Sequence, residues 1–331
     1  MPGRNLFVAS ALTALLFIAA NLFVERAAKN SVPRQTMHAI DAAPAVIGVF
    51  ATGSSLVATG FDPEVFERIF QSAGHPIVAV NGALGATGTI EHLLLVRRAL
   101  RRHTIHELIY GYVDQQMSND APTVNADLFG NRAMLYYEEP QIALRYARFN
   151  PLDWIEFQTF RCCAIFRERG TIWARVEKLR RAMGEVGMPH QATNRFGRVE
   201  DFDLLEAASP EAFTELCTRA MQSGRMLSPP IQELFEEARA GNVRITVVEM
   251  PVPPWHAHHF YDLPAWSEFR QDTRQAVERL GASYIDASRW IPDESQFQDH
   301  VHLGPSGGAQ FTRLLAERLL TATPSTIAST R

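Results

Sequence analysis

The sequence has little of what a disulfide-stabilised, zinc-binding or nucleic-acid-binding protein contains. Three cysteines in 331 residues are too few for a disulfide framework, and the adjacent pair Cys162 and Cys163 does not have a zinc-ligand spacing. One bridge from either of them to Cys217 fits the count, but free thiols are the simpler expectation. Basic residues are not in excess, since 32 Lys and Arg against 36 Asp and Glu give a net charge of −4. This balance argues against a nucleic-acid-binding protein.

Charge is also absent from a long stretch near the start of the chain. Residues 6–24 read LFVASALTALLFIAANLFV, and a helix of this length covers about 28 Å, close to the hydrocarbon thickness of a bilayer. A cleaved secretory signal has a shorter apolar core, with a small-x-small site close behind it. Here Glu25 and Arg26 follow directly, and the nearest Ala-x-Ala is at 43–45. An uncleaved membrane anchor over residues 1–24 is therefore favoured over a cleaved signal.

The remaining chain divides into a connecting segment, a body and a tail. Residues 25–45 contain two prolines and no sustained periodicity, which predicts a tether to the body at 46–322, and 323–331 form a C-terminal tail. Within the body, five short apolar runs without clean alternation are typical of strands buried on both faces of a parallel sheet. The runs are residues 46–50, 77–80, 108–113, 243–250 and 283–285.

Helical patterns separate these runs, so the predicted fold is α/β, a three-layer doubly wound domain with a five-stranded parallel sheet. One interval is too long for a simple crossover: about 115–240, between the third and fourth strands. We expect this insertion to form a lid, a substrate groove or a partner surface. Its large aromatic residues include Tyr136, Tyr137, Trp154 and Trp173.

Residues suited to hydrolytic chemistry follow the predicted strands, where the active crevice of an open α/β sheet forms. Ser54 and Ser55 follow the first strand, and a glycine loop at 81–87 follows the second. Asp299 and His302 lie in the loop after the last strand. A serine nucleophile needs a base, and the base needs a carboxylate to fix its tautomer. The order predicts a Ser-His-Asp set, with Ser55 favoured over Ser54.

Other residues at or after the strand ends are expected to line the substrate cleft or to accept hydrogen bonds, and not to act as catalytic groups. Trp255 and His256, after the fourth strand, are expected to line the substrate cleft. The histidines near them lack a second ligand cluster, so no metal site is predicted. Glu249 and Asp286 are expected to be local hydrogen-bond acceptors rather than catalytic groups.

These motifs resemble those of the SGNH (GDSL-like) hydrolase superfamily. Gly53-Ser54-Ser55-Leu56 is similar to the first block, Gly-Asp-Ser-Leu, which implies that Ser55 is the nucleophile and donates its backbone N–H to the oxyanion hole. The run 81–87 resembles the second block, whose glycine donates another N–H and corresponds to Gly85. Asp299-x-x-His302 is similar to the fifth block, which implies the acid and the base.

One block departs from the family pattern. The third block, Gly-x-Asn-Asp, supplies an asparagine to the oxyanion hole, whereas this sequence reads Gly111-Tyr112-Val113-Asp114. Losing one oxyanion donor typically costs about 100- to 1000-fold in rate. Gln115 or Gln116 is the expected replacement for the missing donor.

The resemblance implies a serine esterase or O-acyltransferase. The runs 53–63 and 250–255 are further similar to membrane-tethered members that act in exopolysaccharide or cell-wall O-acyl transfer. We therefore expect an acylated glycan or another small ester as substrate, and a membrane acyl-donor protein as partner of a transferase. Neither a cofactor nor nucleic acid is implied.

We expect a single pass through the inner membrane by residues 6–24, with the body extracytoplasmic (periplasmic). Basic residues flank this segment on both sides, so charge alone does not fix the orientation. The alternative hypothesis, from a different functional class, is a non-catalytic SGNH-like scaffold subunit of a membrane complex. Val113 and the long insertion favour it.

Overall fold

The computed structural model describes residues 2–85, 87–118, 139–146, 151–169, 172, 175, 176, 179, 180 and 209–322. Its backbone contacts divide into two units. The helical unit comprises Met1–Gln35 and Pro122–Val199, and the sheet unit comprises Thr36–Ala121 and Glu200–Arg331.

The sheet unit contains five strands, all parallel, in the order β2-β1-β3-β4-β5. They are β1 Val46–Gly53, β2 Ala79–Asn81, β3 Thr104–Tyr112, β4 Arg244–Glu249 and β5 Ser283–Asp286. The predicted fold class is therefore confirmed. Each predicted run overlaps one strand. The three inner strands, β1, β3 and β4, are buried on both faces, as the lack of alternation indicated.

Helices connect the strands and build the helical unit. In chain order they are α1 Pro2–Ala27, α2 Val32–Asp41, α3 Ser55–Gly60, α4 Pro63–Ser72, α5 Thr89–Arg102, α6 Pro140–Tyr146, α7 Pro151–Cys162, α8 Ala164–Arg167, α9 Pro210–Gln222, α10 Pro229–Ala240, α11 Pro264–Arg279 and α12 Pro305–Ala322. The segment predicted as a tether, 25–45, includes α2.

The start of α4 shows how local sequence fixes a boundary. The Asp62 side chain accepts the backbone N–H groups of Glu64 and Val65, and Pro63 occupies the first helical position. The Asp-Pro pair is a helix-start signal in the sequence itself, because an N-cap carboxylate satisfies otherwise unpaired N–H groups and proline lacks an N–H to satisfy. Gly74, at φ 81°, follows the helix in a conformation that suits glycine.

Buried side chains cover both faces of the sheet. On one face, Phe66 of α4, Phe269 of α11 and Phe311 of α12 belong to one core cluster with strand residues Ile109 and Val248. On the other face, α5 and α10 pack against each other and against the strands. These layers account for the apolar stripes on the connecting helices.

The helical unit includes α1 and the described part of the insertion that falls in 122–199. Residues 7–20 of α1 are all exposed, and Phe7–Ala27 is long and apolar enough to span a membrane. Helix α8 packs against both α1 and α7. Three of the predicted insertion aromatics and the predicted tail lie outside the described residues; these are Tyr136, Tyr137, Trp173 and 323–331.

Candidate active site

The strand order determines where a crevice opens. Strand β1 lies between β2 and β3, so the chain leaves β1 toward one edge of the sheet and later returns to the other side. This reversal separates the loops at the carboxyl ends of β1 and β3, and such switch points are where open α/β sheets bind ligands. Ser55 follows β1 and Gln116 follows β3, so both lie at this point.

Three predicted residues are joined by hydrogen bonds at this edge. The His302 Nε2 atom lies 2.8 Å from Ser55 Oγ, although 247 positions separate the two residues. The other ring nitrogen, Nδ1, lies 2.8 Å from Asp299 Oδ2 and 2.9 Å from Oδ1. Since a carboxylate accepts, Nδ1 carries the proton and Nε2 is left to accept from the serine hydroxyl.

Asp299 is fixed by its own turn. Its Oδ1 also accepts the backbone N–H groups of Val301, at 3.0 Å, and His302, at 2.7 Å. Burial raises the pKa of the Asp299 carboxyl, but the hydrogen bonds from the His302 ring and these backbone groups outweigh it. The pKa therefore lies below the usual 3.8, and the carboxylate stays ionised at neutral pH.

Close packing between α3 and α12 holds the serine against the histidine loop. A Cβ atom at Gly308 would lie 2.7 Å from the Thr59 carbonyl oxygen, so glycine permits this approach. Thr312 of α12 donates its hydroxyl to the Gly60 carbonyl at 3.0 Å and accepts the Asp62 N–H at 2.9 Å. The C-terminal end of α3 is thereby joined to the first two turns of α12, the helix that follows His302.

The two adjacent serines have different partners. Ser54 is buried, and its hydroxyl lies 3.4 Å from Gln116 Oε1, whereas Ser55 is partly exposed and bonded to His302. Only Ser55 therefore combines access with a base. This distinction supports the preference for Ser55 that the sequence motifs implied.

The loop that carries Gly85 lies beside the serine turn. Leu84 N–H lies 3.4 Å from the Gly53 carbonyl, and Gly85 is partly exposed in the turn that follows. The Asn81 amide braces the loop start by donating to the Val57 and Phe61 carbonyls, at 3.0 and 2.8 Å. These contacts bring Gly85 to the same edge as Ser55.

Buried His92 supports the far end of this loop, which the sequence analysis did not recognise. Its Nε2 lies 3.1 Å from Thr87 Oγ1, and its Nδ1 lies 2.8 Å from the Tyr110 hydroxyl. Burial lowers the pKa of His92 to about 3, so the ring is neutral at physiological pH. His92 lies among the apolar residues of α5, and nothing in the sequence indicates its contacts with Thr87 and Tyr110.

The two glutamines considered as replacement donors point to different places. The Gln115 amide nitrogen donates to the buried sulfur of Cys217 at 3.1 Å, so its side chain is engaged away from Ser55. Gln116 Oε1 instead lies 3.3 Å from the Val113 N–H, beside Ser54. A backbone N–H can only donate, so the Gln116 oxygen faces it and its Nε2 group faces away. Gln116, rather than Gln115, has a donor available here.

The predicted cleft residue His256 is instead buried. Its Nε2 lies 3.0 Å from Asp114 Oδ1, which also accepts the Tyr261 hydroxyl at 2.7 Å. Asp114 itself has a positive φ of 50°, uncommon for a residue other than glycine. Trp255 is partly buried and packs edge-on against the His256 ring. The sequence could not show this cluster because Asp114 lies 142 positions before His256.

The remaining strand-end acids have local partners, as expected. Glu249 accepts from Arg270 at 2.8 Å and from the Tyr284 hydroxyl at 2.7 Å, and Asp286 also accepts from Arg270. Burial raises the pKa of Glu249 to about 7, despite these hydrogen bonds. In the described part of the chain, no cluster of His, Cys, Asp and Glu could hold a metal ion, and the cysteines are free thiols.

Fold and site together define an α/β protein with a serine, a histidine and an aspartate in hydrogen-bonded sequence. No family model and no curated protein sequence matches the chain. Among solved structures, it is similar to a GDSL-like lipase from Bacteroides thetaiotaomicron, with 8% identity over 88% of this chain and 98% of the lipase, at a TM-score of 0.40.

Two further solved structures bear related names. The psychrotrophic esterase EstA from Pseudoalteromonas sp. is 8% identical to this chain. The match covers 84% of this chain and 98% of the esterase chain, with a TM-score of 0.40. AlinE4, an SGNH-hydrolase family esterase, is 13% identical, with coverages of 86% and 100% and a TM-score of 0.34. With identities this low and TM-scores below 0.5, the likeness decides nothing about chemistry, and we derive the function from this chain's own residues.

Proposed function

We propose that the protein is a serine-dependent esterase or O-acyltransferase in which Ser55 is the nucleophile, His302 the general base and Asp299 the group that orients the imidazole. The observation that carries this proposal is the unbroken hydrogen-bonded series from Ser55 Oγ through the His302 ring to Asp299. Such a series activates a hydroxyl whose own acidity is too weak for attack at neutral pH.

Each group has a defined part in the reaction. Ser55 Oγ attacks the ester carbonyl carbon as its proton passes to His302 Nε2, and Asp299 stabilises the resulting imidazolium. As the carbonyl reforms, the bond to the leaving alcohol breaks and His302 returns the proton to its oxygen. Water then releases the acyl group from Ser55 in an esterase, or a sugar hydroxyl accepts it in a transferase.

The oxyanion has three candidate donors. Ser55 is the first residue of α3, so its backbone N–H has no acceptor within the helix. Gly85 supplies a second backbone N–H from the neighbouring loop. We assign the third to Gln116 Nε2, because its carbonyl end is turned to the Val113 N–H. In this assignment the glutamine performs the task of the asparagine that Val113 replaces.

The substrate and location follow from the resemblance and from α1. An acylated glycan is the proposed substrate, with a membrane protein delivering the acyl unit if the reaction is transfer. The exposed apolar surface of α1 supports a single-pass membrane anchor. We propose that the sheet unit lies on the extracytoplasmic side of the inner membrane.

A fluorophosphonate probe tests the nucleophile directly. The wild-type protein is expected to label covalently, Ser55→Ala to lose labelling, and the neighbouring Ser54→Ala to retain it. Tryptic mapping of the phosphonylated peptide then identifies the modified residue. Labelling that persists in Ser55→Ala would overturn the assignment.

Val113 also favours a second candidate, a non-catalytic scaffold that has kept the fold. In that case the wild-type protein, folded by circular dichroism, would not react with the probe. It would also release no acid from a panel of small esters and acetylated oligosaccharides. Release of acid that requires both Ser55 and His302 excludes the scaffold.

A further inference from the structure

Exposed apolar side chains are concentrated in the helical unit. Among the described residues, nine exposed large hydrophobic side chains lie on α1, five lie in the part of the insertion within 122–199, and Val32 follows α1. The described residues of the sheet unit have two, Val46 and Leu216. The five in the insertion are Leu152, Ile155, Phe166, Val176 and Leu179.

Helix α7 carries large apolar side chains on two faces. Phe157 and Phe160 are turned inward and buried, whereas Leu152 and Ile155 are 75% and 62% exposed. Leu152 and Ile155 are three positions apart, so they share one face of the helix. A helix of a water-soluble domain usually presents polar residues on its outer face. The outer face of α7 therefore suits an apolar environment.

The described residues of the insertion contact α1 near its C-terminal end. Residues 7–20 are exposed throughout, while Asn21, Val24, Glu25 and Ala28 are partly or fully covered. The Asn21 side-chain oxygen accepts the Ile165 N–H at 3.3 Å, which brings α8 alongside this end of the helix. From Phe7 to Asn21 the axis rises about 21 Å, and to Glu25 about 27 Å. When Phe7 lies at one boundary of a hydrocarbon layer about 30 Å thick, the other boundary is therefore close to Glu25 and α8.

Charged groups mark the same end of α1. Glu25 accepts from Arg34 at 2.6 Å and forms an ion pair with Arg167 of α8. Arg175 donates to the Ala27 carbonyl at 2.7 Å, at the C-terminus of the helix. Arginine side chains beside exposed aliphatic and aromatic residues are the composition of helices that lie in the membrane interface.

We propose that α7 and α8 lie in the bilayer interface beside α1, with Leu152 and Ile155 inserted among the lipid chains. The membrane attachment then consists of a spanning helix plus a flat contact made by the insertion. This inference rests on the proposed membrane anchor. An interfacial helix of this kind places its apolar face about 5–10 Å into the headgroup and acyl boundary.

The native Trp154, on α7, reports on this contact. The full-length protein is reconstituted into vesicles of phosphatidylcholine and phosphatidylglycerol that contain lipid brominated either near the headgroup or near the chain end. Trp154→Phe provides the signal of the other tryptophans. Subtracting the emission of Trp154→Phe from that of the wild type gives the emission of Trp154. Lipid brominated near the headgroup should quench this emission more than lipid brominated near the chain end.

Two comparisons make the outcome decisive. Leu152→Ser combined with Ile155→Ser should reduce the quenching of Trp154, whereas Leu216→Ser, an exposed leucine of the sheet unit, should leave it unchanged. Unquenched Trp154 in wild-type protein would overturn the proposal, as would quenching that the double substitution leaves unaltered.

A second tryptophan reporter distinguishes failure of the interfacial contact from failure of the membrane anchor. Phe17→Trp in the Trp154→Phe background places the reporter in the middle of α1. If it is quenched by the deep bromines and Trp154 is not quenched, α1 spans the bilayer and the interfacial contact is wrong. If neither is quenched, both the anchor and the contact are wrong.

Discussion

The sheet unit and the helical unit use their apolar residues in opposite ways. In the sheet unit, side chains such as Phe66 and Phe311 fill a core against the strands, and the surface retains few large hydrophobic residues. In the helical unit, α1 and α7 expose theirs. This difference agrees with the two proposals, in which the sheet unit, stabilised by its own core, carries the reaction and a membrane covers the exposed apolar side chains of the helical unit.

The largest effect that would test this division concerns the site. His302→Ala should lower kcat for a small ester by about 10⁶-fold, and Asp299→Asn by about 10⁴-fold through the wrong imidazole tautomer. Neither change should alter sedimentation with vesicles, because both residues belong to the sheet unit. Loss of vesicle binding in these variants would show that the two units are not separable in this way.

Core and exposed apolar residues should differ in their effect on stability. Phe66→Ala, in the sheet unit, is expected to lower the free energy of unfolding by about 3–5 kcal/mol. Leu152→Ser should change it by less than about 0.5 kcal/mol. Urea titration in detergent micelles measures both. A large loss from Leu152→Ser would mean that α7 packs against protein rather than lipid.

The two adjacent glutamines provide a matched pair within the sheet unit. Gln116→Ala should lower kcat by about 100- to 1000-fold with a smaller change in KM, because an oxyanion donor acts in the transition state. Gln116→Glu should be similarly slow, since it keeps the acceptor and loses the donor. Gln115→Ala, which removes the contact with Cys217, should retain kcat. Equal losses in both alanine variants would reject the oxyanion role.

The last comparison concerns the pH dependence of stability at Glu249. Its pKa is raised from 4.5 to about 7 in the folded state, so between these pH values the folded protein binds more protons than the unfolded chain. Stability should therefore fall as pH rises from about 4.5 to 7. Glu249→Gln should flatten this part of the profile in urea titrations at successive pH values. An unchanged slope would assign the titration to another group.

Much of the fold was predictable because its signals are local. The apolar runs without alternation coincide with the five strands, of which the three inner ones are buried, and the Asp62-Pro63 pair marks the start of a helix. Helix α2 was missed because Pro33 was taken as a break, although proline is tolerated in the first turn of a helix. The buried pair Met37 and Ile40, three positions apart, was the available signal.

In the candidate site, short spacing predicted one contact, between Asp299 and His302, and the motif resemblance predicted another, between Ser55 and His302. Asp299 and His302 share one turn, so their contact needs no knowledge of the fold. Gln115 and Gln116 are adjacent, and the sequence does not show which side chain turns toward Ser54. His256 was assigned to the cleft because its partners, Asp114 and Tyr261, are recognised only once the chain has folded.

The 247-residue separation between Ser55 and His302 also has a consequence for synthesis. A ribosome adds about 5–20 residues per second, so the base emerges roughly 10–50 s after the nucleophile. During that interval the nascent chain carries a serine that nothing activates. Helix α12, which follows His302 and bonds to the Gly60 carbonyl through Thr312, is made after the other described elements of the sheet unit. On the proposed mechanism, Ser55 therefore gains its base only after α12 has been made and has docked.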